Sequence, residues 1–220
     1  MIEWQIRRIL KSKVSQLIVA TTEDPSDNAI AEIGSSLGIE VFRGEIKDVY
    51  SRFQSILSQH KPDYFLRLTG DCPLTMPRII DSMIDFFEVN QFDYLSNTNP
   101  PTFPDGLDIE IVDTLSFLEL ENLNITELER EHVTLGIYNR PKIFKLGNFS
   151  NTTDINSERW TVDYQEDLDF VRKVYLEFIN QELQFDLKDV ISLLESKPEI
   201  RNTVNSEFRN IALKAEGDTK

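Results

Sequence analysis

Two aspartates of this 220-residue chain, Asp71 and Asp163, each follow a short apolar segment and precede a predicted helix. Ligands of open α/β sheets bind just outside the carboxyl ends of the strands. Carboxylates there suit Mg²⁺, which prefers one or two carboxylates together with phosphate and water oxygens. We therefore predict that Asp71 and Asp163 share one cation. The structural alternatives are that Asp71 caps the next helix or stabilises a turn, and that Asp163 is a helix N-cap with Glu166 as its capping-box partner.

A second acidic group lies in the middle of the chain. Asp105 and Gly106 precede a segment, 107–111, in which Asp108 and Glu110 alternate with apolar residues, as in a half-buried strand. The alternation puts Asp108 and Glu110 on one face. That face either lines a cleft and accepts hydrogen bonds from sugar hydroxyls, or faces solvent as an ordinary amphipathic strand does. Gly106 permits the close approach of a ligand or of another backbone segment.

Basic residues near the second predicted strand offer contacts for phosphate. Arg43 and Gly44 end that strand, where an arginine is better placed for phosphate than at a general surface position. Asp48 and Arg52 stand four residues apart on the next predicted helix. That spacing also suits a plain surface ion pair, which is the structural alternative.

The chain contains one cysteine, Cys72, and two histidines, so neither an internal disulfide nor a zinc site of His and Cys alone is available. Cys72 has no second cysteine or nearby histidine in the sequence, and we interpret it as a small buried residue. His132 lies in a charged, helical segment, which favours a solvated or helix-pairing side chain over a catalytic base.

Composition excludes several classes of protein. The net charge of −15 is wrong for a generic nucleic-acid binder, since neutralising phosphates needs a basic surface. No apolar run approaches the roughly 20 residues of a membrane span, and no leader-like segment opens the sequence. We therefore expect a cytoplasmic protein without membrane or nucleic-acid partners. The length predicts a single domain over residues 1–214, with a flexible tail at 215–220.

Helix and strand patterns alternate along the first hundred residues, which predicts an α/β fold with a mostly parallel sheet covered on both faces. From 113 to 146 the alternation is interrupted by a mainly helical excursion. The predicted strands are 16–21, 39–42, 64–68, 92–95, 107–111, 142–146 and 159–162. The predicted helices are 2–10, 24–38, 49–57, 79–87, 113–123, 127–138, 168–178 and 187–194.

Together these motifs resemble the cytidylyltransferase family that includes acylneuraminate and 3-deoxy-manno-octulosonate cytidylyltransferases, and in particular its spore coat polysaccharide biosynthesis protein F branch. The Thr-Gly-Asp-Cys-Pro-Leu and Thr-Val-Asp motifs are fairly specific jointly and weak singly. The order and spacing of the motifs match through most of the chain. The segments that carry the resemblance are 19–22, 41–44, 48–49, 67–74, 105–110, 129–134, 160–163 and 166–168.

The resemblance implies a three-layer, Rossmann-like fold of the nucleotide-diphospho-sugar transferase type. It implies transfer of CMP from CTP to a sugar acid or related sugar, with Mg²⁺ held by the catalytic residues Asp71 and Asp163. It further implies a homodimer formed through the excursion at 113–146. Residues implied to bind nucleotide are Arg43, Gly44, Asp48, Arg52, Thr69 and Gly70, and those implied to bind the sugar are Asp105, Gly106, Asp108, Glu110 and His132.

The family typically opens with a strand and an Arg- and Gly-containing loop that holds the triphosphate, and this sequence contains no such loop. From this difference we expect the chain to bind CTP weakly and to show no turnover unless a strand and loop are restored ahead of Met1. Two other classes remain open at this point. One is a non-catalytic homologue, and the other is a glycosyltransferase that uses a nucleotide-sugar donor.

Overall fold

The computed structural model describes residues 1–181, 184–202 and 204. Within these residues, four short 3-10 helices join or extend the main elements. The strands are β1 (Ile18–Thr22), β2 (Glu40–Gly44), β3 (Tyr64–Arg67), β4 (Tyr94–Ser96), β5 (Glu110–Asp113) and β6 (Leu146–Asn148). The helices are α1 (Ile2–Ile9), α2 (Asn28–Ser36), α3 (Val49–His60), α4 (Pro77–Asn90), α5 (Thr114–Glu119), α6 (Glu127–Glu131), α7 (Leu135–Tyr138), α8 (Gln165–Phe178) and α9 (Leu187–Ser196).

The described strands form two sheets. β1 and β2 pair in parallel, and a second sheet has the order β3–β5–β4–β6. β4 and β6 are parallel, whereas β5 runs antiparallel to both β3 and β4. The predicted α/β class is confirmed. The direction of β5 was not predicted, because hydrophobic alternation indicates that a strand exists but carries no information about its pairing direction.

Helix α4 shows why the 3.6-residue periodicity was informative. Pro77 occupies its first turn, where a missing N–H costs nothing, and Gln91 ends it in the left-handed conformation with φ of 52°. Its apolar stripe is buried in the main core, beside the apolar faces of α8 and α9. The buried stripe consists of Ile79, Ile80, Met83, Ile84 and Phe87.

Four predicted elements differ from those observed. The strand predicted over 142–146 is displaced toward the carboxyl end, since β6 begins only at Leu146. The helix predicted over 127–138 is two helices, α6 and α7, because Val133 is buried with φ of 53° and interrupts the hydrogen-bond ladder. The strand predicted over 159–162 is only a single bridge between Arg159 and Asp105. The strand predicted over 107–111 begins at Glu110, so Asp108 precedes it and the two carboxylates do not share a strand face.

The excursion at 113–146 packs on α3 and forms a second hydrophobic cluster with β4 and β5. Phe117 and Leu120 are buried in that cluster, whereas Leu115 is 77% exposed. Part of the apolar surface of the excursion is therefore used inside the protomer. The dimer itself stays a prediction.

Helix α1 is anchored by polar as well as apolar side chains. Ile6 and Ile9 are buried, whereas the next residue, Leu10, is half exposed. Gln5 and Arg8 are buried instead. In the described part of the chain, no helix is long and apolar enough to cross a membrane. The predicted flexible tail, 215–220, lies outside the described residues.

Candidate functional site

Asp71 lies in the turn that follows β3, next to the segment that carries Asp163. The backbone N–H of Val162 donates a 2.9 Å hydrogen bond to the Asp71 carbonyl. The Thr161 hydroxyl donates to Asp71 Oδ2 at 3.2 Å. The fold thus brings together the two segments that the sequence predicted to converge. A shared cation remains a prediction.

Asp163 is not the helix cap that was considered as the structural alternative. Its side chain is about half exposed and accepts a hydrogen bond from Arg159 Nη2 at 2.5 Å. The residue that closes the start of α8 is Asp167, whose Oδ2 accepts from the backbone N–H groups of Asp163 and Tyr164 at 3.0 Å each. The pairing of Asp163 with Glu166 is therefore wrong, and the Asp163 carboxylate projects toward the surface.

Arg159 is the centre of this acidic network and was not singled out from the sequence. Its side chain is only 2% exposed. It donates to Asp167 through Nε at 3.1 Å and Nη2 at 3.0 Å, and to Asp105 through Nη1 at 3.4 Å. Arg159, Asp163 and Asp167 stand at four-residue intervals, so their ion pairs could have been inferred from the sequence. The ion pair with Asp105 could not, because Asp105 is distant in sequence.

The Asp167 carboxylate is buried yet charged. Burial acts to raise its pKa, but hydrogen bonds from Arg159, Asn202 and two backbone N–H groups act more strongly, so the pKa lies below its ordinary value. The bond from Asn202 Nδ2 is 2.7 Å long. A charged, fully bonded Asp167 fixes Arg159, which in turn fixes the orientation of Asp163.

Gly106 brings two backbone segments of the site into contact. Its φ is 101°, and a Cβ atom added there would stand 2.3 Å from the Thr161 backbone nitrogen. Adjacent to it, the Trp160 N–H donates to the Asp105 carbonyl at 2.6 Å. The prediction of a close backbone approach at Gly106 is confirmed, with the 160–161 segment as the partner.

Three acidic residues, Asp71, Asp105 and Asp108, lie near Cys72. Burial raises the pKa of the Cys72 thiol, and the carboxylates of Asp71, Asp108 and Asp105 raise it further. Cys72 is a small buried residue, as predicted. Asp105 is itself buried against Arg159, whereas Asp108 is half-buried.

Glu110, implied to contact a sugar, uses both carboxylate oxygens within the protein. Oε1 accepts from the Tyr94 and Thr134 hydroxyls at 2.6 Å each, and Oε2 accepts from Arg67 Nη1 at 2.5 Å. This network joins β3, β4, β5 and the start of α7. As observed, Glu110 supports the fold near the site.

Arg43 and Gly44, both implied to bind nucleotide, make structural contacts within the protein. Arg43 donates to the carbonyls of Thr22 and Asp24 at 2.7 and 2.8 Å and to Asn28 Oδ1 at 2.8 Å, which clamps the turn after β1. Gly44 leaves room for the stem of Arg52, whose Cγ would stand 2.9 Å from an added Cβ atom.

Asp48 and Arg52 do not form the surface ion pair that their spacing allowed. Asp48 caps α3 by accepting from the Ser51 N–H at 3.0 Å, and its other oxygen binds Arg130 at 2.5 Å. Arg52 donates to the Ala20 carbonyl at 3.4 Å. Within the part of the chain that the structure describes, Arg52 Nε is buried without a hydrogen-bond partner. Burial also lowers the pKa of its guanidinium.

Thr69, Gly70 and His132, the other residues implied to bind nucleotide or sugar, lie in or beside turns. The Thr69 carbonyl accepts from Gln5 Nε2 at 2.7 Å. Gly70 follows it immediately before Asp71. His132 ends α6 and is half-buried, and its carbonyl accepts from the Thr134 N–H at 2.6 Å.

Two carboxylates from adjoining segments are a suitable but incomplete ligand set for Mg²⁺, which ordinarily takes its other ligands from phosphate and water. Asp71 uses Oδ2 in its bond to Thr161, and Asp163 uses Oδ2 in its bond to Arg159. Among residues 1–181, 184–202 and 204, no cluster of three or more His, Cys, Asp or Glu side chains is arranged to hold a metal. Binding of Mg²⁺ by Asp71 and Asp163 stays a prediction.

Comparison with known proteins identifies the family. A family model described as cytidylyltransferase matches residues 1–197. The chain is 37% identical over 214 residues to the uncharacterized protein MJ1063 of Methanocaldococcus jannaschii, covering 94% of this chain and 84% of that one. It is 26% identical over 188 residues to the spore coat polysaccharide biosynthesis protein SpsF of Bacillus subtilis, covering 83% and 76% of the two chains.

Solved structures agree with this result. A cytidylyltransferase from Leptospira borgpetersenii superposes with a TM-score of 0.87 at 30% identity, covering 92% of this chain and 86% of that chain. A CMP:2-keto-3-deoxy-manno-octonic acid synthetase complexed with CTP superposes with a TM-score of 0.59 at 15% identity, covering 83% and 88%, and shares the fold. The chain thus belongs to the cytidylyltransferase family of nucleotidyltransferases.

Proposed function

We propose that this protein transfers CMP from CTP to a sugar acid or related sugar in surface polysaccharide biosynthesis, with release of pyrophosphate. Family membership supports the use of CTP, and the likeness to a spore coat polysaccharide biosynthesis protein supports the sugar acceptor. The observation that carries the proposal is the contact between the Asp71 and Asp163 segments through the 2.9 Å bond from Val162 to Asp71. The protein acts in the cytoplasm, where CTP is available.

The proposed reaction needs positioning and charge neutralisation more than a protein nucleophile. A hydroxyl oxygen of the sugar bonds to the α-phosphorus of CTP and its proton passes to solvent, while the bond to the bridging oxygen breaks and pyrophosphate leaves with the electron pair. Mg²⁺, when bound, neutralises phosphate charge in such reactions. Asp71 and Asp163 are the residues that would hold it. Thr161 orients the Asp71 carboxylate, and Arg159 holds the Asp163 carboxylate.

Calorimetry tests the proposal directly. CTP and UDP-glucose are titrated into the chain, each with and without Mg²⁺, and into the chain carrying a strand and an Arg- and Gly-containing loop ahead of Met1. We expect Mg²⁺-dependent CTP binding that is weak in the first protein and stronger in the second. Asp71→Asn and Asp163→Asn should each weaken it. Asp169→Asn, the same charge change at an exposed position of α8, should leave it unchanged.

Other outcomes favour the competing classes. Preferential binding of UDP-glucose would indicate a glycosyltransferase, and binding of neither ligand by either protein would indicate a non-catalytic homologue. Pyrophosphate release, measured with CTP and a panel of sugar acids, tests the transfer step itself. Substantial release by the 220-residue chain alone would contradict the expected dependence on an added loop.

We also propose that the protein is a homodimer assembled through the excursion at 113–146. The exposed Leu115 on α5 supports an apolar contact there. Light scattering at micromolar concentration measures the mass. A monomer under those conditions would contradict the proposal, and Leu115→Glu should produce one if the dimer forms through this surface.

A further inference from the structure

Arg67 lies at the edge of the sheet where ligands of α/β proteins bind. It is the last residue of β3, and Ser96 is the last residue of β4. Both pair with Glu110, the first residue of the antiparallel strand β5. Ligands of open α/β sheets bind outside the carboxyl ends of the strands, and Asp71 follows Arg67 by four residues. Arg67 is therefore placed beside the candidate site.

The charges around Arg67 agree with this position. Burial lowers the pKa of the Arg67 guanidinium, but contributions that include the charges of Glu110 and Asp71 outweigh it, and the pKa lies above its ordinary value. Asp71 is thus near enough for its charge to act on Arg67. Arg67 carries a full positive charge next to the carboxylate that the sequence predicts to be catalytic.

Glu110 holds Arg67 through only one of its nitrogen atoms. Arg67 Nη1 donates to Glu110 Oε2 at 2.5 Å. The other oxygen of Glu110, Oε1, accepts from the Tyr94 and Thr134 hydroxyls at 2.6 Å each. Three donors therefore fix the Glu110 carboxylate, and the carboxylate in turn fixes the direction of the guanidinium. An arginine that is oriented in advance loses little conformational freedom when it binds a ligand.

The other edge of the Arg67 guanidinium, formed by Nε and Nη2, has no hydrogen-bond partner among the residues that the structure describes. The side chain is 23% exposed, and neither nitrogen is completely buried. The N–H groups of this edge are parallel and match the two oxygens of a carboxylate. The edge is therefore open to a carboxylate that comes from outside the chain.

Arg159 shows how the same edge binds a carboxylate in this protein. Its Nε and Nη2 donate to the two oxygens of Asp167 at 3.1 and 3.0 Å. A guanidinium has five N–H donors, and Arg159 binds three carboxylates at once. The ion pair with Glu110 therefore does not prevent Arg67 from binding a second carboxylate.

Tyr138 adds a hydroxyl group close to Arg67. It ends α7, four residues after Thr134, and its ring lies 6.0 Å from the Tyr94 ring between centroids. Burial raises the pKa of Tyr138 to about 12, with Glu110 raising it and Arg67 lowering it, so the hydroxyl keeps its proton at neutral pH. Within the described residues this hydroxyl has no hydrogen-bond partner, and it is not completely buried. It can donate to an oxygen of a bound ligand.

We propose that Arg67 binds the carboxylate of the sugar acceptor through Nε and Nη2, and that the Tyr138 hydroxyl donates to the same ligand. This inference rests on the proposed transfer to a sugar, and it narrows the acceptor to a sugar acid. A hydroxyl of a neutral sugar offers one oxygen in place of two and carries no charge, so it makes weaker bonds with the same edge. Arg67 is thus the residue that selects an acid over a neutral sugar.

NMR of the arginine side chains tests the proposal in the absence of nucleotide. The Nε–H signal of Arg67 is assigned by its loss in Arg67→Lys. The probes are N-acetylneuraminate, 3-deoxy-manno-octulosonate and glucuronate. The matched controls are the methyl esters of the same acids, which keep the sugar and lack the charge. Inorganic phosphate and pyrophosphate are titrated separately, because they represent the other anions of the proposed reaction.

We expect at least one acid to shift the Arg67 Nε signal and to bind about tenfold or more tightly than its ester, because hydrogen bonds to a charged group are stronger than neutral ones. Arg67→Lys keeps the charge but not the planar edge, and should remove this preference. Arg172→Lys, at an exposed position of α8, should retain it. Tyr138→Phe should weaken binding of the acid without removing the preference.

The proposal is overturned if no acid is preferred over its ester in the unmodified chain, a comparison that does not depend on the folding of any variant. It is also overturned if Arg67→Lys retains the preference, or if only phosphate and pyrophosphate shift the Arg67 signal. Because no nucleotide is present, these outcomes do not decide whether the protein uses CTP. Conversely, a failure to bind CTP in calorimetry leaves the acid preference at Arg67 to be judged by this titration alone.

Discussion

Replacing Arg159 by methionine should destabilise the protein more than any single surface change. Arg159 is 2% exposed and binds three carboxylates, of which Asp167 is fully buried and Asp105 nearly so. Removing one partner of a buried ion pair typically costs about 3–5 kcal/mol, because the remaining charge is left without compensation. We expect a loss in this range at pH 7. Methionine keeps much of the side-chain volume, so a cavity contributes little.

Urea unfolding of the wild-type and Arg159→Met proteins measures this loss. Arg172→Met is the matched control, since Arg172 binds Asp169 at an exposed site of α8. Exposed pairs contribute only about 0–1 kcal/mol. A loss below about 1 kcal/mol in Arg159→Met, or one equal to that of the control, would refute the assignment of Arg159 as the charge that neutralises this network.

The pH dependence provides a second check on the same variant. In the wild-type protein the pKa of Asp167 is lowered on folding. Its contribution to the free energy of unfolding is therefore present above the unfolded pKa of about 3.9 and is lost as the pH falls through the lower folded value. In Arg159→Met the strongest hydrogen bond that lowers the pKa of Asp167 is lost while the effect of burial remains, so the pKa rises relative to the wild-type protein. The difference between the free energies of unfolding of the two proteins should therefore grow from pH 4 to pH 7. A difference that does not depend on pH would contradict the loss of charge compensation at Asp167 as its cause.

Two further substitutions test the supports of the site by urea unfolding. Gly106→Ala forces a Cβ atom against the Thr161 backbone at a φ of 101°, and should cost more than Gly38→Ala, where φ is also positive but no atom lies within 4 Å. Equal losses of stability in the two variants would mean that the unfavourable φ, worth about 1–2 kcal/mol, accounts for the whole effect and that the Thr161 contact adds nothing. Glu110→Gln should cost about 2 kcal/mol, because hydrogen bonds to a charged group are worth about 1.5–3 kcal/mol. Glu121→Gln, an exposed control, should change stability by less than about 0.5 kcal/mol. Similar losses in both variants would contradict the inference that the internal bonds of Glu110 stabilise the fold.

The sequence was sufficient to predict elements that are determined by local periodicity. The apolar stripes of α3, α4, α8 and α9 and the apolar runs of β1 to β4 each match a single backbone repeat. The break between α6 and α7 was not predictable, because nothing in the residue type of Val133 indicates a positive φ. The strand predicted over 159–162 failed for a related reason, since an apolar run does not show whether a neighbouring strand is available to pair with it.

The sequence predicts the two carboxylates of the candidate site, Asp71 and Asp163, but not most of the contacts that hold them in place. Asp71 and Asp163 could be selected because each follows an apolar segment at a turn. Arg159 and Asp167 were overlooked although their spacing from Asp163 is visible in the sequence. The contacts of Gln5 with Thr69 and of Arg159 with Asp105 were not predictable, because these partners are distant in sequence. Glu110 illustrates the same limit, since its type and position suggested a ligand contact while its bonds are internal.

The buried polar side chains of α1 have a consequence for the cooperativity of folding. Gln5 binds the Thr69 carbonyl and Arg8 binds the Thr75 carbonyl at 2.8 Å, on either side of Asp71. An eight-residue helix is not stable in isolation, so α1 forms only while it is docked on this turn. The first ten residues and the Asp71 turn therefore open and close as one unit. A label or protease that detects loosening of the amino terminus consequently also reports on the order of a carboxylate seventy residues away.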